Sequence, residues 1–310
     1  MATDDEILVL LRQQQHLEAN RSERNRNPMR SVWVVAGVAL AGFAAVVIPS
    51  SPSVQGQSKN EAATSATASL TFDDLVAGRL PIVDLTWTLD DKNPYWPAEN
   101  YEPFRVTTIA TREKNGVLSK AFYTPEHLGT HLDAPNHFEN NQPSVDEILP
   151  VNLFAPAVVI DVTVQVETNA DFRLAVADIT EWEQSHGRIP DGAVVFLMTG
   201  WGRHWTNYAR YKNQDATGRM HFPGYSEEVA RWLVKQRNVR GVGIDTLSID
   251  YGLSKDFIVH HVINGAGRYG LENVANLDKL PPRGFYVSVA PVKVRSGSGG
   301  PARIMAILPR

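Results

Sequence analysis

Between His127 and Phe138 the chain reads His-Leu-Gly-Thr-His-Leu-Asp-Ala-Pro-Asn-His-Phe, placing three imidazoles and a carboxylate in eleven positions of a sequence with only nine histidines. That density is hard to reconcile with core packing. Neutral imidazole and carboxylate are ligands that zinc and manganese accept, and the chain-breaking Gly129 and Pro135 let such side chains converge on one point. Whatever fold the chain adopts must supply that point.

If residues 130–134 are extended, His131 and Asp133 project from one face, because strand side chains alternate with period two. Gly129 then lets the backbone bring His127 back towards them. Asp133 could bridge two metals or orient an imidazole, and a coordinated water would be acidified enough to attack a carbonyl near neutral pH. His137 follows Pro135, outside the tight spacing, and is better placed as a general acid or base than as another ligand. The plain alternative is a surface loop whose histidines bond the backbone.

Composition narrows the chemistry. The chain has 310 residues, 43% of them hydrophobic, enough for a full core. It has no cysteine, which excludes thiol catalysis, Cys-type zinc sites and disulfides. Its 30 basic and 34 acidic residues are well mixed, so no basic stripe points to nucleic acid, and small molecules are the expected partners. No Ser-based elbow motif is evident.

The N-terminus has its own character. After Arg21, Arg24, Arg26 and Arg30 an apolar run covers 32–49, followed by small polar residues with a candidate cleavage point near Val54-Gln55-Gly56. Residues 1–56 therefore read as an extension plus export signal, directing the protein to the periplasm or outside, with a retained membrane anchor as the alternative. Residues 57–70 read as a flexible linker and 71–310 as one catalytic domain.

Within 71–310, Thr71 is a candidate cap for a helix through Ala77, and strands are expected at 82–87, 104–109, 118–124, 157–162, 194–198, 239–244, 285–289 and 303–308. Helical periods occupy 177–186 and 226–237, the latter opened by Ser226, with a further helix from Phe257 to Val262. The mixture predicts an α/β or α+β domain with a mixed sheet. Residues 199–225 hold Trp201, Trp205, Tyr208, Tyr211 and Phe222, a set that suits a lid, a subunit contact or a packed surface loop. Ser296-Gly-Ser-Gly-Gly-Pro301 lacks the Lys-Ser/Thr of a phosphate cradle and reads as a tight turn near the pocket.

A second group of polar residues follows the strand at 239–244: Asp245, Ser248, Asp250, Asp256, His260, His261 and Glu272. On a helix the adjacent His260 and His261 point about 100° apart, so only one faces a given metal. Glu272, taken alone, reads as an ordinary helix start.

His127-x-Gly-Thr-His131-x-Asp133-x-Pro135-x-His137-Phe138, with Val83-Asp-Leu-Thr and Trp96-Pro97 upstream and Gly243-Ile-Asp-Thr-Leu-Ser-Ile-Asp250, His260 and Glu272-Asn-Val-Ala-Asn-Leu downstream, resembles the cyclase family of kynurenine formamidase-like and isatin hydrolase-like metal-dependent hydrolases. The resemblance spans nearly all of 80–310. It implies a swivelling β/β/α-type fold, a site of one or two zinc or manganese ions held by His127, His131, Asp133, His260 and Glu272, and His137 as the catalytic acid/base. The twelve-residue spacing from His260 to Glu272 fits the family pattern and selects His260 over His261. The resemblance also implies that Trp96 flanks the substrate, and that the protein forms a homodimer or larger homo-oligomer. Trp-Pro-Ala-Glu stands where formamidases often have Trp-Pro-Gly, which argues against a kynurenine-specific enzyme.

The expected activity is therefore hydrolysis of a C–N amide bond in an N-formyl amine or cyclic amide. The alternatives are a metal-dependent cyclase, dehydratase or lactone hydrolase, and an exported metal- or ligand-binding protein without turnover.

Overall fold

A computed structural model describes residues 71–309 of the chain. The apolar run, the candidate cleavage point and the linker lie outside the described residues. Among the described residues, no helix is long and apolar enough to cross a membrane.

The described residues open with helix α1 (Phe72–Val76), whose Asp74 N–H donates to the Thr71 hydroxyl, as the capping reading expects. Strand β1 (Ile82–Asp84) follows, then a two-stranded ribbon of β2 (Arg105–Ala110) and β3 (Ser119–Tyr123) joined through α2 (Arg112–Asn115). Next come β4 (His131–Asp133), a 3₁₀ turn at Pro135–His137, β5 (Phe154–Asp161), α3 (Thr163–Thr168), β6 (Arg173–Leu174), α4 (Val176–His186) and β7 (Val194–Met198). The second half adds α5 (Tyr208–Lys212), β8 (Gly224–Tyr225), α6 (Glu227–Arg237), β9 (Gly241–Ile244), α7 (Ile258–Gly265), β10 (Tyr269–Glu272), β11 (Phe285–Pro291) and β12 (Gly299–Ile307).

The main sheet runs β1-β12-β11-β5-β7-β9-β10-β4, and β4 also pairs with β12, which closes seven of the strands into a barrel. Strands β5, β7, β9 and β10 are mutually parallel, whereas β4, β11 and β12 pair antiparallel to their neighbours. This is the mixed α/β domain that the pattern of elements predicts. Closure works because β12 is long: its first residues, Gly299 to Pro301, pair with β4, and its last, Met305 to Ile307, pair with β1.

Alternation along the strands sorts two cores. Leu132, Val194, Phe196, Leu271, Val287 and Ile304 fill the barrel, while Val195, Leu197, Val242 and Ile244 face outward against Ile179 and Trp182 of α4 and Val229 and Leu233 of α6. Helix α6 starts as expected, with the Val229 N–H donating to the Ser226 hydroxyl.

Three expectations need correction. The strand expected at 303–308 begins at Gly299, so Gly299-Gly-Pro301 is strand and not turn: the register with β4 recruits it, although glycine and proline are poor strand formers. Glu272 ends strand β10 and does not start a helix. In the segment 199–225, Trp201, Trp205, Tyr211 and Phe222 are buried in the helix-side core, so these rings are packing and not a lid over the cavity. The Trp201 indole donates to the Tyr211 carbonyl at 2.7 Å, and the Tyr211 hydroxyl bonds the Asp245 carbonyl and Asn273 Oδ1, each at 2.9 Å.

Candidate metal centre and active site

Register does most of the assembly. In β4, His131 lies opposite Glu272 of β10, and Asp133 lies between Gly270 of β10 and Gly299 of β12. Paired residues share a face. Because Leu132 and Leu271 point into the barrel, His131, Asp133 and Glu272 point out of it, towards α7, which packs against β10 and the 3₁₀ turn carrying His137. The glycines provide the room: a Cβ on Gly270 would sit 2.8 Å from Asp133 Oδ2, and one on Gly299 would sit 2.7 Å from His127 Cε1.

Before β4, Gly129 takes a left-handed backbone (φ +68°) in which a Cβ would lie 2.6 Å from Leu89, and this bend returns His127 to the cluster as the sequence reading requires. His127 Nδ1 comes to 2.6 Å from Asp133 Oδ1, and His131 Nε2 to 3.2 Å from Asp133 Oδ1 and 3.4 Å from Glu272 Oε2. From α7, His260 Nε2 reaches 3.1 Å from Glu272 Oε1 and 3.6 Å from Asp133 Oδ2. The neighbouring His261 points away, half exposed, and bonds Glu139 at 2.8 Å. The two adjacent histidines thus divide into one inside and one outside.

Two groups of potential ligand atoms share Asp133: His131, Asp133 and Glu272, and His127, Asp133 and His137, each with its atoms within 4.8 Å of one another. The second group includes His137, which the sequence reading kept apart as a proton carrier. His137 stacks on His127 with ring centroids 3.8 Å apart.

Electrostatics show what the cluster lacks. Burial opposes a charge on His131, yet the Asp133 and Glu272 carboxylates beside it raise its pKa to about 10, and the same kind of balance, with Asp133, Asp250 and Glu272, raises His260. Burial also opposes ionisation of Asp133, but the surrounding histidines hold its carboxyl well below the usual range. The carboxylates demand positive charge in a buried place. A divalent cation held by these residues would answer that demand and displace the imidazolium protons. The buried His131 Nε2 and Asp133 Oδ2 have no hydrogen-bond partner, so both could ligate once the imidazolium proton is displaced, and the nitrogen and oxygen donor set suits zinc or manganese.

Burial, reinforced by His127, His260 and His131 and only partly opposed by Asp133, lowers His137 to about 3, so it is neutral at physiological pH. The cluster opens into a cavity of about 280 Å³ whose wall includes Trp96, Tyr101, Phe138 and Phe257, along with Ser248 and Asn273. Trp96 meets Phe257 edge-on at 5.7 Å, and Phe138 stacks on His260 at 4.4 Å. The Trp96 loop is held from behind, where Tyr208 stacks on Tyr95 and donates to its carbonyl at 2.9 Å.

The sequence reading misses Tyr101 and names Asp250 without a role. Tyr101 lines the cavity, and burial together with the charges of Asp133, Glu272 and Glu126 raises its hydroxyl to about 12. Asp250 accepts from His260 Nδ1 at 2.7 Å and fixes that ring. Of the other acids after β9, Asp245 turns away to bind Thr199 through its N–H (3.0 Å) and hydroxyl (2.6 Å), and Asp256 lies near Ser254. Spacing in the sequence signals none of these roles, since each depends on the loop it faces.

Comparison with known proteins agrees with this geometry. The Cyclase family model matches residues 83–251. An isatin hydrolase of Roseibium aggregatum is 31% identical over 251 residues, covering 76% of this chain and 95% of the relative. A kynurenine formamidase of Geobacillus thermodenitrificans is 29% identical over 225 residues, covering 72% and 95%. The solved structure of isatin hydrolase A from Ralstonia solanacearum superposes with a TM-score of 0.73 at 38% identity, covering 76% of this chain and 95% of that one. A barrel closed through β4, a histidine and carboxylate cluster on its outer face, and matches along most of the described residues agree: the chain belongs to the cyclase family.

Proposed function

We infer that this chain is a metal-dependent hydrolase of carbon–nitrogen amide bonds, and we propose that its substrate is an N-formyl aryl amine or, in preference, a planar cyclic amide of the isatin type. The observation that carries the reading is the buried cluster in which Asp133 serves two groups of potential ligands at the floor of an aromatic-walled cavity. The relatives named isatin hydrolase support the cyclic amide, and the Trp96, Phe138 and Phe257 rings give a planar substrate faces to pack on.

In this proposal His127, His131, Asp133, His260 and Glu272 hold one or two zinc or manganese ions. The metal supplies an acidified water and an electrophilic partner for the amide carbonyl. In its role as acid/base His137, which burial keeps neutral, takes the proton of the attacking water and hands it to the leaving nitrogen. Trp96 orients the ring, and the half-buried aromatic walls limit competing water. A second role for His137, as a ligand, is favoured by its place beside His127 and Asp133. Export through the N-terminal apolar segment and assembly into a homo-oligomer belong to the same proposal.

The test is hydrolysis of isatin by the purified chain before and after chelation, with zinc or manganese added back. Activity is expected to disappear with the metal and return with it, and full activity after complete removal would overturn the reading. His137→Ala is expected to slow turnover while bound metal stays near its wild-type level, whereas His131→Ala and Asp133→Ala lower the metal content itself. Loss of metal in His137→Ala would make it a ligand.

A further inference from the structure

The Ser296–Pro301 segment, set aside in the sequence as a turn, reaches the cluster where β12 starts and pairs with β4. Ser298 donates twice to the carboxylate of Glu126, from its N–H at 2.9 Å and from its hydroxyl at 2.6 Å, both to Oε2. The same hydroxyl oxygen lies 2.8 Å from His127 Nε2. A serine hydroxyl has one proton, and here that proton is committed to an acceptor-only carboxylate. The Ser298 oxygen can therefore only accept from His127, so the proton of that contact belongs to Nε2 of the ring.

The other nitrogen, Nδ1, then faces Asp133 Oδ1 at 2.6 Å: without metal a second proton joins the two, and with metal bound Nδ1 is the nitrogen left to ligate. His131 and His260 are arranged the opposite way round. His131 Nδ1 lies 2.9 Å from the Gly129 carbonyl and His260 Nδ1 lies 2.7 Å from Asp250 Oδ2, and both partners only accept. Those rings carry hydrogen on Nδ1 and present Nε2.

We propose that the Glu126–Ser298 pair is a positioning device that fixes His127 in the Nε2–H form, so that this histidine binds metal through Nδ1 while His131 and His260 bind through Nε2. The proposal rests on the reading of the cluster as a metal centre. The loop is built for it. A Cβ on Gly297 would lie 2.7 Å from Glu126 Oε1, and one on Gly299 would lie 2.4 Å from the Leu132 carbonyl and 2.7 Å from the His127 ring. Only glycine on both sides of Ser298 lets the backbone approach both partners. Glu126 is adjacent to His127 in the chain, so one short segment and one glycine loop orient the first ligand of the motif.

The experiment uses the full chain loaded with zinc and labelled with ¹⁵N in histidine. Long-range ¹⁵N–¹H spectra report which ring nitrogen carries hydrogen, with His127 assigned by the signal lost in His127→Gln. The expected result is Nε2–H for His127 and Nδ1–H for the other zinc-shifted rings. In parallel, chelator competition is expected to show zinc bound about 10- to 100-fold more weakly by Ser298→Ala, as for other partners that orient metal-binding histidines, and recovered by Ser298→Thr. Glu126→Gln is expected to weaken zinc in the same direction, and it gives a second reading if Ser298→Ala does not fold.

Nδ1–H on His127 in the zinc-loaded protein, or wild-type zinc affinity in folded Ser298→Ala, would overturn the proposal while leaving the metal centre intact. A histidine spectrum that does not respond to zinc would overturn the metal centre and the proposal with it. Zinc binding with the expected ring forms, in a protein that hydrolyses no amide, would instead uphold this device and refute the proposed activity.

Discussion

Asp250 offers the most quantitative test of how the site is held. It is 1% exposed, and its two oxygens accept four hydrogen bonds: Oδ1 from the Val259 N–H and the Ser254 hydroxyl, each at 3.1 Å, and Oδ2 from the His260 N–H at 3.1 Å and His260 Nδ1 at 2.7 Å. One carboxylate thus caps the start of α7 and orients the histidine that α7 carries. In Asp250→Asn only one oxygen remains. If it stays with His260, the new NH₂ faces the Val259 N–H, and a buried donor left without an acceptor costs about 1–3 kcal/mol. The two bonds to His260 also lose their charge assistance, roughly another 1 kcal/mol. The expected destabilisation is about 3 kcal/mol, a shift of roughly 6–12 °C for a domain of this size. Urea and thermal unfolding with chelator present measure this directly, and competition titration should show zinc affinity reduced by about 10- to 100-fold. A loss below about 1 kcal/mol, with unchanged zinc affinity, would refute both the cap and the orienting role.

Gly270→Ala places a methyl 2.8 Å from Asp133 Oδ2 and 3.4 Å from Ile249 Cδ1, so metal content per chain should fall and stability should drop by about 1–3 kcal/mol; elemental analysis and melting check this, and full metal occupancy would mean the carboxylate can step aside. Glu183 of α4 takes two bonds from Arg237 of α6, at 2.7 Å and 2.6 Å, and that guanidinium lowers its pKa from 4.5. The stabilisation is present above pH 4.5 and is lost as pH falls through the lowered value, so Glu183→Gln should cost about 1 kcal/mol at pH 7 and progressively less in acid, as read by urea midpoints across pH.

What could be read before folding follows the range of the interactions involved. Local signals held: β-branched residues at Val194–Met198 make a central strand, and Ser226 caps α6 through a contact three residues away. The cluster from His127 to His137 was legible because few chemistries need those side chains, and Gly129 bends as its neighbours require. Strand β10 was not legible, for Tyr-Gly-Leu-Glu has no telling alternation and its glycine exists to clear Asp133, a residue far away in the chain. The same holds for Gly299, which serves the His127 ring, and for Asp250, which serves His260. The aromatic residues of 199–225 show the limit most plainly: a Trp-rich segment has one composition whether it covers a pocket or fills a core.

The placement of β4 also governs when the site can exist. Both of its partner strands come much later in the chain, since His131 pairs with Glu272 on one side and Pro301 on the other. When residues 127–137 leave the ribosome they have nothing to pair with, and they wait until residue 301 has been made before the barrel can close around them. Such distant pairing is slow to form and leaves the early segment open meanwhile. The motif richest in chemistry is thus completed only after the last strand has been made, and no site of this geometry should form in a chain that ends before Pro301.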